Sequence, residues 1–89
     1  MTLADVAPLV GIIDPVLPTV YGKPGCVQCR ATTRWMEARG VRFAYVDVTE
    51  DQEAYERVTS LGYKQVPVVE VGSEHWSGFN PGRLEVLNG

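Results

Sequence analysis

The sequence predicts an α/β domain with the element order β-α-β-α-β-β-α and a four-stranded mixed sheet. Three observations predict it. Short β-branched or aromatic runs alternate with stretches of helical periodicity. Glycine or proline punctuates the joins, and the last two strand-like runs are separated only by Gly72 and Ser73. Two parallel strands joined by a crossover helix, followed by a hairpin, supply both kinds of pairing in one chain. At 89 residues there is room for one small core.

The elements follow in order. Residues 17–21 (LPTVY) are β-prone and are stopped by Gly22, Pro24 and Gly25. Residues 27–39 turn helical, with Val27, Ala31, Trp35 and Ala38 forming an apolar stripe and Arg30, Arg34 and Glu37 on another face. Gly40 supplies the stop. Residues 41–48 (VRFAYVDV) alternate and read as a strand. Thr49, with Gln52 three positions on, resembles a capping box that opens a helix to about Leu61, with Gly62 after it. Residues 67–71 (PVVEV) and 74–79 (EHWSGF) make the hairpin. A short helix closes the chain, with Pro81 suited to its first position.

Composition narrows the function. Eight basic against eleven acidic residues leave a net charge of −3, which disfavours nucleic acid and anionic membranes as partners. Lys23, Arg30, Arg34, Arg39 and Arg42 gather in the first half, either as a basic zone or simply as a solvated helix face. The first residues, MTLADVAPLVGIIDPVLP, are apolar, but Asp5 and Asp14 replace a basic flank, and Pro8 and Pro15 break the run. They read neither as a secretory signal nor as a membrane span. A cytoplasmic chain is expected, with residues 1–16 an N-terminal extension, a disordered tail or alternative start, and residues 17–89 the domain.

Both cysteines lie in one run, KPGCVQC. A disulfide stabilises chiefly by closing a long loop in the unfolded chain, and Cys26 to Cys29 closes almost nothing. In a reducing compartment this spacing points to redox chemistry or a metal. Structural zinc takes four ligands, and one chain offers two thiols and a distant His75, so only a site shared by two chains would serve. With Cys26 in the turn before the helix and Cys29 in its first turn, the pair can close. The helix start then favours a thiolate on Cys26, with Lys23 and Arg30 as helpers. Cys26 is therefore read as the nucleophile and Cys29 as the resolving thiol.

From about residue 17 onward the sequence resembles the NrdH-redoxin branch of the glutaredoxin-like, thioredoxin-fold proteins. The resemblance rests on VYGKPGCVQC, GYKQVPVV and HWSGFNPG. It implies a thioredoxin/glutaredoxin-like fold and a dithiol–disulfide oxidoreductase that donates electrons to the large subunit of class Ib ribonucleotide reductase. It also implies recharging by a flavin-dependent thioredoxin reductase and NADPH, with no bound cofactor and no metal, in a monomer. The alternatives are a glutaredoxin dependent on glutathione or another low-molecular-weight thiol, and a non-catalytic dimer bridged by metal. The family's cis proline maps onto Pro67, leaving backbone at Val66 for a substrate strand. Two positions depart from the family segment W-S-G-F-R-P-D: Asn80 replaces the arginine and Gly82 the aspartate. Gly22 also stands where a small hydroxyl residue is usual.

Partner contacts are expected from Lys23, Val66, Pro67, Trp76, Ser77, Gly78 and Phe79. Trp76 either flanks the substrate groove or packs in the core. Trp35 is read as core, and Tyr21 as core or rim of the site. His75, placed in an exposed loop, has no catalytic part.

Overall fold

The computed structural model describes residues 17–87; the expected N-terminal extension lies outside the described residues. Four short strands, β1 (Thr19–Gly22), β2 (Ala44–Asp47), β3 (Val68–Val71) and β4 (Glu74–Ser77), form one sheet in the order β2-β1-β3-β4. Helix α1 (Val27–Ala38) joins β1 to β2, and α2 (Gln52–Ser60) joins β2 to β3. Helix α3 (Pro81–Leu84), extended by a 3-10 turn at Glu85–Leu87, follows the hairpin. β1 pairs parallel with β2, Val20 opposite Tyr45, and antiparallel with β3, Val20 opposite Val69. The hairpin pairs Val69 with Trp76. This is the expected mixed sheet.

The period of two along a strand divides the core between the sheet's faces. On one face Val20, Val69 and Trp76 meet Met36 of α1 and Leu84 of α3, with Trp35, Val41, Phe43 and Leu87 packed around them. On the other face Tyr21 and Val68 meet Ala54 and Val58 of α2, with Val46, Val48 and Tyr63. Met36 and Leu84 are fully buried, so truncating either to alanine costs about 2–5 kcal/mol.

The inward face of α1 differs from the expected stripe. Cys29, Thr32 and Met36 are buried, whereas Val27 is 72% exposed. Thr32 is tolerated inside because its hydroxyl donates to the Gln28 carbonyl at 2.8 Å. The helix ends at Gly40 (φ 70°), where Val41 N–H bonds to Met36 O at 2.9 Å and Gly40 N–H to Glu37 O at 3.2 Å, a Schellman arrangement. α2 closes in the same way, Tyr63 donating to Val58 O and Gly62 to Thr59 O.

The start of α2 corrects the capping box expected at Thr49. Asp51 is the N-cap, its carboxylate accepting the Ala54 N–H at 3.0 Å. Thr49 instead turns back, its backbone N–H and hydroxyl both donating to Asp47 Oδ1. Asn80 caps α3, accepting the Arg83 N–H at 3.2 Å, so this departure from the family segment has a local use. His75 lies in β4 rather than in a loop, half-buried, with Nδ1 2.7 Å from the Tyr63 hydroxyl. Among the described residues no helix is long and apolar enough to cross a membrane.

Candidate active site

β1 delivers the chain to the end of the sheet, and Pro24-Gly25 turns it into α1. The last residue before the helix is Cys26, whose extended backbone (φ −96°, ψ 110°) makes it the N-cap. Its sulfur does what a serine or aspartate oxygen does elsewhere: Sγ accepts the Cys29 backbone N–H at 3.1 Å. Cys26 and Cys29 are joined as a disulfide with Cα atoms 5.2 Å apart, well within the usual span. The two sulfurs differ in access. Cys29 is 2% exposed on the inward face of α1, while Cys26 is partly exposed at the helix mouth.

The peptide bond Val66-Pro67 is cis and lies directly across from this turn. Cys26 Sγ stands 3.9 Å from the Val66 carbonyl oxygen. Pro67 is buried, and its carbonyl accepts the Gly78 N–H at 2.8 Å, carrying the hairpin pairing one step past β4. Cys26, Cys29, Val66, Pro67 and Gly78 thus come together. Phe79 joins them through an unexpected partner, Gln28, whose Oε1 accepts the Phe79 N–H at 3.0 Å. Ser77 is exposed at the end of β4.

Trp76 is not on this surface. Its ring is 5% exposed in the core against α1 and α3, with the Arg83 guanidinium 4.8 Å over it, and Arg83 also pairs with Glu74 at 3.1 Å. The strand alternation that exposes Ser77 turns Trp76 inward. Its packing role is the one realised.

Two grooves share Lys23. The smaller, about 390 Å³, is lined by both cysteines with Arg30, Glu37, Phe43 and Tyr45. The larger, about 750 Å³, runs between α2 and the loop leading to Pro67, where Gln52, Tyr55, Lys64, Gln65 and Val66 line it. Of the five early cations, Lys23 and Arg30 line these two grooves, and Arg39 stacks 4.0 Å over Trp35. Burial, with the nearby Asp47 charge second, raises the Tyr45 pKa above the ordinary tyrosine value. On the α2 face Arg57 pairs with Glu70, which also accepts the Tyr21 hydroxyl. The hydrogen bond from Arg57 holds the Glu70 carboxyl below the usual carboxylate range, while burial and Glu70 push the Tyr21 phenol up.

Gln28 and Tyr45 are among the residues of this neighbourhood that sequence reasoning missed. Gln28 sat in plain view between the cysteines, and Tyr45 in a strand read only for its alternation.

A mixed four-stranded sheet carrying a Cys-x-x-Cys disulfide at a helix mouth, opposite a cis proline, defines a thiol–disulfide oxidoreductase of the thioredoxin fold. The glutaredoxin family model matches residues 19–76. The chain is 43% identical over 70 residues to the glutaredoxin-like protein NrdH of Escherichia coli K12, covering 79% of this chain and 86% of that one. It is 32% identical over 69 residues to NrdH of Lactococcus lactis subsp. lactis, covering 78% and 96%. The solved NrdH-redoxin of Escherichia coli superposes with a TM-score of 0.76 at 43% identity, over 79% of this chain and 92% of that chain. This protein belongs to the glutaredoxin family, in its NrdH-like branch.

Proposed function

We propose that this protein carries electrons to class Ib ribonucleotide reductase and is recharged by NADPH through a flavin-dependent thioredoxin reductase, in the cytoplasm and as a monomer. The observation that carries the chemistry is the unequal access of the two sulfurs at one helix start. In the reduced protein the Cys26 thiolate keeps the Cys29 N–H and the positive end of α1 as its stabilisers. It attacks one sulfur of a target disulfide, forming a mixed disulfide and releasing the other target sulfur as a thiolate that takes up a proton. Cys29 then gives up its proton and attacks Cys26 Sγ, releasing the second target thiol. Two electrons have passed to the target, and the domain is left as the Cys26–Cys29 disulfide. Backbone at Val66 and Gly78, with Lys23, Pro67, Ser77 and Phe79, is the surface offered to the target.

The choice of reductase rests on likeness to the Escherichia coli NrdH-redoxin, whose structure is described as accounting for a thioredoxin-like activity profile. A second reading has its own observation. The larger groove carries Lys23 and Lys64 and no carboxylate among its lining residues, which suits a small anionic thiol such as glutathione. One paired assay separates the two: turnover of a disulfide substrate with NADPH and thioredoxin reductase, against glutathione, its reductase and NADPH. Preference for the first pair by tenfold or more supports the proposal; the reverse preference overturns it.

A further inference from the structure

Disulfide exchange at Cys26 and Cys29 makes no use of the Gln28 carboxamide, yet that group makes a contact spanning 51 residues of sequence. Its Oε1 accepts the Phe79 N–H at 3.0 Å and would stand 3.3 Å from a β-carbon built on Gly78. Gly78, at φ 82°, lets the chain leave β4 at this angle, and its own N–H is held by Pro67 O. A continuous path therefore runs from the proline loop through Gly78 and Phe79 to the first turn of α1. Two apolar side chains stand exposed where it ends: Phe79, 37% exposed, and Val27, 72% exposed, the residue directly after Cys26. No acidic residue lies in that first turn.

We propose that Gln28 is a positioning residue: it holds Phe79 at the mouth of α1, where Phe79 and Val27 form an apolar ledge that favours polypeptide disulfides over small ones. This deepens the function proposed above and rests on Cys26 being the attacking sulfur. The occupant of the ledge is the chain flanking a cystine in a protein target. Extended polypeptide reaches about 3.3 Å further with each residue and so meets side chains beyond the sulfur. A small dialkyl disulfide ends within a few bonds of its sulfurs and gains nothing from them.

The test uses pre-reduced protein and second-order rate constants for insulin and for bis(2-hydroxyethyl) disulfide, expressed as their ratio. Gln28→Leu keeps the bulk and removes the acceptor; it is expected to lower the ratio about five-fold, the effect of one lost hydrogen bond. Gln28→Glu keeps an acceptor oxygen and is expected to hold the ratio within about two-fold, because any effect of its charge on the Cys26 thiolate falls on both substrates. Phe79→Ala is expected to lower the ratio like Gln28→Leu, and the double variant no further than the larger single effect. Titration of the thiolate absorbance in each variant separates a change in Cys26 ionisation from a change in target recognition. Equal slowing of both substrates by Gln28→Leu, failure of Gln28→Glu to retain the ratio, or additive loss in the double variant would overturn the inference. Should Gln28→Leu not fold, an unaltered ratio in Phe79→Ala overturns it. Pre-reduced wild-type protein that leaves insulin oxidised sinks the underlying function and this inference together, whereas active wild type with indifferent variants sinks the inference alone.

Discussion

The ring of Tyr45 occupies the space a side chain on Gly22 would need: a β-carbon there would come within 2.9 Å of Tyr45 Cε1 and Cζ. Gly22 ends β1 and Tyr45 lies in the neighbouring β2, so the bare backbone at 22 lets the phenol lean over the strand end and rim the groove containing the disulfide. The departure from a small hydroxyl residue at this position thus has a partner elsewhere in the chain.

Gly22→Ser is expected to turn the ring out into water rather than unfold the domain. Tyr45 is already 46% exposed, and the crowding involves the far end of its side chain. Urea denaturation should show a change below about 1 kcal/mol, the unfolded-state gain offsetting the displacement. The Tyr45 pKa, raised by burial in the wild type, should fall toward the ordinary tyrosine value in a phenolate absorbance titration. A loss above about 3 kcal/mol would mean that the ring is pinned.

The difference in access between the sulfurs gives a trapping experiment. Cys29→Ser leaves the accessible thiol without its resolving partner, so incubation with an activated target peptide should accumulate a mixed disulfide on non-reducing gels. Cys26→Ser, with its remaining thiol 2% exposed, should accumulate little. The opposite pattern reverses the assignment of roles.

Arg57 and Glu70 predict an acid-side effect with a definite sign. The folded-state pKa of Glu70 is depressed, mainly by the Arg57 hydrogen bond. Its contribution is therefore complete above the ordinary glutamate range and is lost as pH falls through the lower folded value. Arg57→Gln should reduce stability at pH 7 only slightly, because the guanidinium is half exposed and water screens the pair. The gap to wild type should close below the ordinary glutamate range in thermal melts across pH; a gap that widened on acidification would contradict the pairing.

Asp51 and Thr49 can be told apart by the same melts. Asp51→Ala removes the cap of α2 and should cost about 1 kcal/mol. Thr49→Ala removes only an exposed turn contact to Asp47 and should cost under half as much. Equal losses would return the capping role to Thr49.

The sequence made the element order and the disulfide's place at a helix start legible, because proline, glycine and β-branched residues act locally. What it hid was long-range or face-dependent. Val27 looked apolar and so inward, but the helix turns Cys29, Thr32 and Met36 to the sheet, and a buried threonine becomes acceptable only once its hydroxyl bonds within the helix. The capping aspartate was masked by an equally plausible threonine two positions earlier. Gln28 meets Phe79 and Tyr45 covers Gly22 only after the sheet has assembled, so no local pattern announces either contact.

The division of the core between the two faces of the sheet has an optical consequence. Both indoles of the chain, Trp35 and Trp76, belong to the α1/α3 side, while the phenols of Tyr21 and Tyr63 belong to the α2 side. Emission excited at the red edge of absorption therefore watches one half of the interior alone, and the signals of Tyr21 and Tyr63 watch the other. The molecule carries its own pair of reporters for whether its two halves melt as one cooperative unit or in succession.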